Sequence, residues 1–567
     1  MNSWKVRVYS VLLTLLIFLT GCSLPGSDDN LIRYNISVNV DNLDPQYIST
    51  ANETLLILNC FEGLMKLDAS GQPIAALAER YTLSEDKQVY TFYLREGLKW
   101  SDGEPLTAGD FVFAFRRLFN PDSPSPNARD FRSMENADAI LSGQLAASRL
   151  GIRALDSRTL EIRLAEPDSF FLELLATPAA MPCREDFFLS CNGRYGLSLK
   201  FLLFNGPYVM TTWKSGRYIG LRPNKEYYDP LSLPTAAVNL YTVRPAEENA
   251  QLLLEDRCDG GPVLFEDLES LEGFSTISFQ NTVHLLVFNP DMAVFQDNDI
   301  RLGMCTAINR QLFQSDIPDN LEITNLLIPP AAAILGQSYR SLANRVTGLV
   351  YQRDEAKGLF ETGLNRLELS KLPRSSMICL ETGQHRFLAG YLQRQWQKDL
   401  NLYINLEPLS EEKFYSRLSR GDYQLAILPV SLDQSNPRTM LTRIAQYLPD
   451  TSPEETEEEV PEEERETANT ADTNPNASSE EDTQPPQPYS TTEADKEALE
   501  LYLSLAGSGG AAEAAQWFAK AEELLLQRGY VAPLYFESHY FSVSPRVSDI
   551  HFTPYPGWIS FQEAKKK

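Results

Sequence analysis

Histidine is scarce in this chain, and the few residues present lack the spacing of a catalytic or metal-binding motif. The sequence has four histidines among 567 residues, at His284, His385, His539 and His551. None belongs to an H-E-x-x-H pair, and neither a G-x-S-x-G elbow nor a G-x-x-x-x-G-K-[ST] phosphate loop occurs. We therefore predict no catalytic residue, no metal site and no cofactor, and expect the histidines to be core or surface residues.

Basic residues are in deficit: 50 Lys and Arg stand against 77 Asp and Glu, which gives a formal net charge of −27. Nucleic-acid binding needs a basic footprint for the phosphates, so the composition excludes that class of partner. About half of the negative charge is local, because fourteen acidic residues between positions 450 and 482 accompany Arg465 as the one basic residue. The stretch 449–488 has almost no large apolar residue. It cannot bury enough surface to offset the entropy of ordering, and we predict it to be disordered.

Long apolar runs are absent except at the amino terminus. Lys5 and Arg7 precede residues 8–19, which are almost wholly apolar, and Leu19-Thr20-Gly21-Cys22 follows. A membrane span needs about 20 apolar residues, so this shorter run is typical of an export signal. Small residues before a cysteine resemble a bacterial lipoprotein signal, which implies removal of residues 1–21 and a lipid on Cys22. The alternative is an ordinary secretory signal with a chance cysteine.

Six further cysteines match no metal-ligand spacing. If residues 185–189 are helical, Cys183 and Cys191 are about 12 Å apart along the axis, which exceeds the Cα separation of a disulfide. Export permits disulfides, but we expect mostly buried free thiols, with a bridge as the alternative.

Residues 90–118 carry the clearest local pattern. Residues 90–94 have a period of two, typical of a half-buried strand. Residues 101–103, Ser-Asp-Gly, supply turn chemistry. Thr107 is suited to cap a helix, with Asp110 as its partner three residues on. The sequence therefore predicts a strand, a turn and a capped helix.

The same segment resembles the signature region of the extracytoplasmic oligopeptide- and dipeptide-binding proteins that serve ABC importers. The resemblance rests on Lys99-Trp100-Ser101-Asp102-Gly103 together with Leu106-Thr107-Ala108, and it extends from near Leu31 to the carboxyl end. It implies an α/β fold of the type II periplasmic-binding-protein class, with two lobes, a hinge and the additional domain of the peptide-binding family.

That resemblance also implies a chain that weaves between three domains. Domain I would comprise residues 30–70, 186–275 and 525–567, domain II (the additional domain) residues 71–185, and domain III residues 276–524 with the acidic insert 449–488 inside it.

The resemblance places the ligand site near residues 421–437. Residues 425–430 form a continuous apolar run, typical of a strand buried on both faces. Asp433 then falls where relatives have an aspartate that pairs with the peptide α-ammonium group, a charge-assisted contact. Val430 replaces a Trp of the pattern and Pro429 has no N–H, and the alternative role for Asp433 is to cap a loop. The candidate ligand-binding residues are Asp433, Val430, Pro429, Ser431, Ser49, Thr50 and Ala51.

By this resemblance the chain is a binding protein and not an enzyme. We expect the lipid-anchored, extracytoplasmic component of an ABC importer at the cell membrane, a monomer that captures a peptide between two lobes. Closure follows because the ligand contacts both lobes only in the closed form, which then docks on the permease subunits. The alternative is the same fold binding a signalling peptide or a non-peptide solute, such as an oligosaccharide or a metal chelate. Val430 in place of the Trp motivates this alternative, and so do Leu418 and Ile427, which fall where some relatives have basic residues that bind the peptide carboxylate.

Replacing Cys22 with Ser tests the predicted anchor. Stable tethering to a membrane needs more than one acyl chain, and these chains would be carried by the modified Cys22. Without the thiol no such lipid can be attached, so the variant should leave the membrane fraction or remain as unprocessed precursor. Membrane fractionation and mass spectrometry of the amino terminus measure this. Unchanged processing and membrane retention of the Cys22→Ser protein would contradict the assignment.

Overall fold

The computed structural model describes residues 30–36, 40–68, 71–123, 125–242, 245–314, 317–318, 320–343, 346–448 and 490–567. The predicted signal segment, Cys22 and the acidic stretch 449–488 lie outside the described residues. Within the described part, no helix is both long and apolar enough to cross a bilayer.

The strands and helices occupy the following bounds. The strands are β1 Leu31–Asn35, β2 Met65–Leu67, β3 Pro73–Ala75, β4 Ala78–Leu83, β5 Val89–Leu94, β6 Ile152–Ala154, β7 Thr159–Arg163, β8 Tyr208–Lys214, β9 Tyr218–Pro223, β10 Ala237–Tyr241, β11 Gly260–Val263, β12 Ser275–Phe288, β13 Leu321–Ile323, β14 Ala333–Ile334, β15 Gln337–Ser338, β16 Ser375–Leu380, β17 Ile404–Leu409, β18 Leu425–Ser431, β19 Val531–Val543, β20 Val547–Ser548, β21 His551–Phe552, β22 Ile559–Ser560 and β23 Lys565–Lys566. The α-helices are α1 Ala51–Cys60, α2 Ala108–Leu118, α3 Ala137–Leu141, α4 Phe171–Leu174, α5 Glu185–Ser190, α6 Asn249–Leu254, α7 Ala293–Gln296, α8 Asn298–Thr306, α9 Tyr339–Leu342, α10 Arg353–Arg366, α11 Gly383–Leu400, α12 Glu411–Ser419, α13 Arg438–Ala445, α14 Ser490–Ser508 and α15 Ala511–Gln527.

One large mixed sheet organises the chain, in the order β17-β16-β18-β12-β19-β11-β1-β10-β9-β8, and β13 also pairs with β19. Two long antiparallel strands, β12 and β19, lie at its centre and pair from Ser275 opposite Val543 to Val287 opposite Val531. We call this pair the central ribbon. One of its strands continues the pairing to β11 and the other to β18. The ribbon therefore joins a first lobe, built on β1 and β8–β11, to a second lobe, built on β16–β18.

In the second lobe, the main sheet separates a core that belongs to this lobe and the ribbon from a larger core that continues into the first lobe and the smaller sheet. Val283, Leu285 and Val287 of β12 belong to one core, whereas Leu286 and Phe288 belong to the other. Strand β18 divides its side chains in the same way. A strand that packs against apolar side chains on both faces has a continuous apolar sequence and no alternation of polar and apolar residues. The strand predicted from the apolar run at 425–430 is therefore confirmed.

A separate four-stranded antiparallel sheet, in the order β4-β5-β7-β6, is formed by residues between 78 and 163. Helix α2 begins directly after the predicted cap residue, Thr107, and Asp110 is its partner in the first turn. The Thr107 N–H donates to the Asp110 carboxylate at 2.8 Å. Burial raises the pKa of Asp110 to about 6. The predicted strand, turn and capped helix are thus confirmed. The six cysteines that the structure describes are buried free thiols.

A buried carboxylate fastens helix α15 to the second lobe. Glu522 is fully buried and accepts hydrogen bonds from the N–H groups of Leu327 and Ile328, at 2.7 and 3.0 Å. The Tyr339 hydroxyl donates to it at 2.8 Å, and Arg340 makes a salt bridge of the same length. Each carboxylate oxygen is therefore used.

Replacing Glu522 with Ala should lower the free energy of unfolding by about 3–5 kcal/mol, because Arg340 and two buried N–H groups lose their acceptor. Urea unfolding followed by circular dichroism measures the change. Glu513 lies exposed on the same helix, so Glu513→Ala is the matched control and should change little. Equal losses in the two variants would show that the carboxylate network contributes nothing beyond helix content.

Candidate functional site

Two cavities lie close to the predicted site. The larger, about 740 Å³, is formed by residues 129–174, 434–448 and 496–504, and ten of the 25 residues that line it are charged. The smaller, about 280 Å³, lies between the lobes and against the central ribbon. We take the smaller cavity as the candidate site, because a ligand there contacts both lobes and because two of the predicted residues, Ala51 and Ser431, line it.

The interlobe cavity is aromatic and uncharged. The first lobe contributes the end of β1, the start of α1 and the segment 552–559, and the ribbon contributes its middle section. None of the described residues that line it is Asp, Glu, Lys or Arg. The aromatic residues lining it are Tyr34, Phe279, His539, Phe541, Phe552 and Tyr555. Such a lining gives affinity through burial of apolar area, and a few polar groups orient the ligand.

A chain of hydroxyl and imidazole groups crosses the ribbon beside this cavity. The Ser431 and Thr282 hydroxyls are 2.7 Å apart, and the Thr282 hydroxyl is 3.0 Å from Nε2 of His539. Burial lowers the pKa of His539, so the ring is disposed to be neutral. Asn281 donates to the Pro554 carbonyl at 2.5 Å and so ties the ribbon to the first lobe.

The predicted residues at the start of α1 are partly committed to the helix cap. The N–H groups of Ser49 and Thr50 donate to the Glu53 carboxylate at 2.9 and 3.0 Å, and the Thr50 hydroxyl accepts from the Glu53 N–H. These backbone groups have partners within the chain. Ala51 is exposed and lines the cavity, whereas Ser49 and Thr50 are not among its lining residues.

Pro429 and Val430 lie within β18 and do not line the interlobe cavity. Val430 is 8% exposed and belongs to an apolar core. Pro429 lies opposite His284 in the ladder. Ser431, the last residue of the strand, is the one that reaches the cavity.

Asp433 follows the end of β18 and is paired within the chain. Its carboxylate lies 2.6 Å from the Arg443 guanidinium, and the two side chains are 40% and 45% exposed. The same Arg443 nitrogen donates to the Ser431 carbonyl at 2.8 Å. Withdrawal from water raises the pKa of Asp433, and the charge of Arg443 opposes that rise. Across from this pair, burial and the charge of Asp433 raise the pKa of Asp130 to about 6.

Three of the four histidines gather on the ribbon and beside it, which the sequence did not reveal. His284 lies 2.6 Å from the Glu537 carboxylate through Nε2 and 3.1 Å from His385 through Nδ1. It also stacks on Tyr535 with ring centroids 4.2 Å apart. The contacts join residues 101 and 253 positions apart, through the pairing of β12 with β19 and the packing of α11, so no local pattern could have predicted them.

Burial dominates the electrostatics of this group. It lowers the pKa of His385 to about 4, with the neighbouring His284 charge adding to the effect. Burial alone would raise the pKa of Glu537, but hydrogen bonding and charge from His284 hold it below its usual value. Among the residues that the structure describes, no three His, Cys, Asp or Glu side chains are placed to hold a metal ion.

These features define a two-lobed α/β binding protein with a cavity at its hinge. The family described as bacterial extracellular solute-binding proteins, family 5 Middle, matches residues 72–449. The chain belongs to this family. The predicted fold class and the family resemblance are both confirmed.

Individual relatives agree with that placement. The chain is similar to the dipeptide-binding protein of Lactococcus lactis subsp. cremoris, at 25% identity over 75% of this chain and 80% of that one. It is also similar to the probable deoxycholate-binding periplasmic protein YgiS of Escherichia coli, at 26% identity over 71% and 75%. Among solved structures, OppA of Listeria monocytogenes bound to peptide superposes with a TM-score of 0.73, at 21% identity over 95% of this chain and 99% of that one.

Replacing His385 with Gln tests the buried histidine group. The pKa of His385 lies near 4 in the fold against 6.5 ordinarily, so the unfolded chain gains protons first as the pH falls. The fold should therefore lose up to about 3 kcal/mol between those two values, with full stability above the higher one. His385→Gln should show a smaller loss in unfolding free energy over this range.

The free energy of unfolding is measured by thermal and urea unfolding from about pH 7 to about pH 4, the range in which His385 titrates in the unfolded and folded chain. His551 is exposed beside Glu563, so His551→Gln is the control and should follow the wild-type profile. A His385→Gln profile that coincides with wild type would contradict the assignment.

Proposed function

We propose that this chain is the substrate-binding component of an ABC importer and captures peptides in the interlobe cavity. The observation that carries the proposal is the position of the cavity, which is lined by the first lobe and the central ribbon and, through Ser431 at the end of β18, by the second lobe. A ligand in this place favours the closed arrangement of the lobes by its contacts with both. Relatives named for dipeptide and oligopeptide binding support the peptide as ligand.

The finer parts of the proposal come from the sequence. Lipid on Cys22 would hold the chain at the extracytoplasmic face of the cell membrane, and the closed form would deliver its ligand to the permease subunits as a monomer. The predicted domain bounds, 30–70 with 186–275 and 525–567, 71–185, and 276–524, belong to the same proposal. Of the seven predicted ligand-binding residues, Ala51 and Ser431 would contact the ligand directly. Asp433 would lie at the end of the cavity, and Ser49, Thr50, Pro429 and Val430 would support it.

A second candidate ligand is an apolar non-peptide solute. The absence of charged side chains from the described lining favours it, and so does the similarity to a relative named for deoxycholate. A peptide backbone needs hydrogen-bond partners when it is buried, and these would come from the amides, hydroxyls and imidazole beside the cavity.

Filling the cavity tests the proposed site. Ala51→Trp should place an indole in a space of about 280 Å³ and weaken ligand binding by about a hundredfold or more, since an occupied cavity cannot close on a ligand without strain. Isothermal titration calorimetry with a mixture of short peptides, and separately with deoxycholate, measures the effect.

The control is Ala512→Trp, because Ala512 is exposed on α15, away from the cavity lining. Peptide binding lost in Ala51→Trp and kept in Ala512→Trp would support the proposal. Binding of deoxycholate alone would move the second candidate to first place. Unchanged peptide affinity in Ala51→Trp would contradict the location of the site.

A further inference from the structure

An internal cation occupies the carboxylate that the family resemblance assigns to the ligand. Arg443, on α13, lies 2.6 Å from the Asp433 carboxylate and donates through the same nitrogen to the Ser431 carbonyl at 2.8 Å. Ser431 also lines the interlobe cavity. Arg443 is therefore joined to the lining of the proposed site through the Ser431 carbonyl, although neither Asp433 nor Arg443 lines the cavity itself.

The acceptors that Arg443 engages are those that an ammonium group would use. A carboxylate and a carbonyl on one side of a cleft suit any cation with several N–H donors. A guanidinium held on the same chain has a high local concentration, so a ligand ammonium must displace it to reach Asp433. A ligand without a charged amino end meets no such competition.

One further charged group faces the pair. Asp130, at the end of the 3₁₀ segment Ala128–Phe131, interacts with both Asp433 and Arg443. It lines the larger cavity and is not among the residues that line the interlobe one. Arg443 therefore contacts the lining of the smaller cavity through Ser431, whereas Asp130 belongs to the lining of the larger one.

We propose that Arg443 is a specificity-determining residue that neutralises Asp433 from within the chain, so that ligand capture does not require a free α-amino group. This rests on the proposed capture of peptides. The ligand class that it assigns includes peptides whose amino end is acylated or otherwise uncharged, on equal terms with peptides whose amino end is free.

One peptide that binds the wild type, prepared with a free and with an N-acetylated amino end, tests the proposal by titration calorimetry. The wild type should bind the two forms within about threefold of each other, a difference below that of one charge-assisted hydrogen bond. Arg443→Gln uncovers Asp433 and should favour the free form by roughly tenfold or more. The double variant Arg443→Gln with Asp433→Asn should lose that preference.

Two further variants separate a specific role from a structural one. Arg443→Lys keeps a cation beside Asp433 and should remain as indifferent to acetylation as wild type. Asp130→Asn should leave the ratio of the two affinities unchanged. Because Arg443 is 45% exposed, its replacements should fold, and their melting temperatures check this.

The outcomes distinguish this inference from the proposed function. If wild type binds the free form more than tenfold tighter, or if Arg443→Gln gains no preference for it, peptide capture stands and the role of Arg443 is overturned. If neither form of any tested peptide binds wild type or Arg443→Gln, peptide capture itself fails and this inference fails with it.

Discussion

The antiparallel pairing of β12 with β19 is the constraint on which the rest of the structure depends. Each lobe completes its sheet on this ribbon, so neither lobe can separate from the other without losing ladder hydrogen bonds. The pairing register shifts at two places, between Gln280 and Thr282 and between His284 and Leu285. Such irregularities bend a strand locally and change its twist. The first of these shifts lies beside the interlobe cavity, because Asn281 is part of the cavity lining.

Polar groups are concentrated along this same irregular section. Thr282 connects Ser431 to His539, and His284 connects Glu537 to His385. Each buried polar atom in these chains has a partner, which avoids the cost of an unsatisfied group. The ribbon thus lines an uncharged cavity along one section, and the titratable group formed by His284, Glu537 and His385 lies next to that section. Beyond the end of β18, Asp433 forms a salt bridge with Arg443, which also binds the carbonyl of Ser431 in the cavity lining.

Local features of the fold were predictable from the sequence, and long-range ones were not. The strands at 90–94 and 425–430 and the cap at Thr107 each depend on neighbours within a few positions. The gathering of three histidines depends on the register of β12 with β19 and on the packing of α11, which no local pattern encodes. For the site, the sequence indicated Ala51 and Ser431. It did not indicate the aromatic lining from residues 552–557 or the guanidinium beside Asp433, because neither has a motif of its own.

A crystal structure of the chain with its bound ligand tests the central claim most directly, namely that ligand is held between the lobes against the ribbon. The account predicts ligand density in the cavity of about 280 Å³, in contact with Ala51 and Ser431 and with the ribbon at Asn281 and His539. Ligand found instead in the larger charged cavity formed by residues 129–174, 434–448 and 496–504, with the interlobe cavity empty, would contradict it.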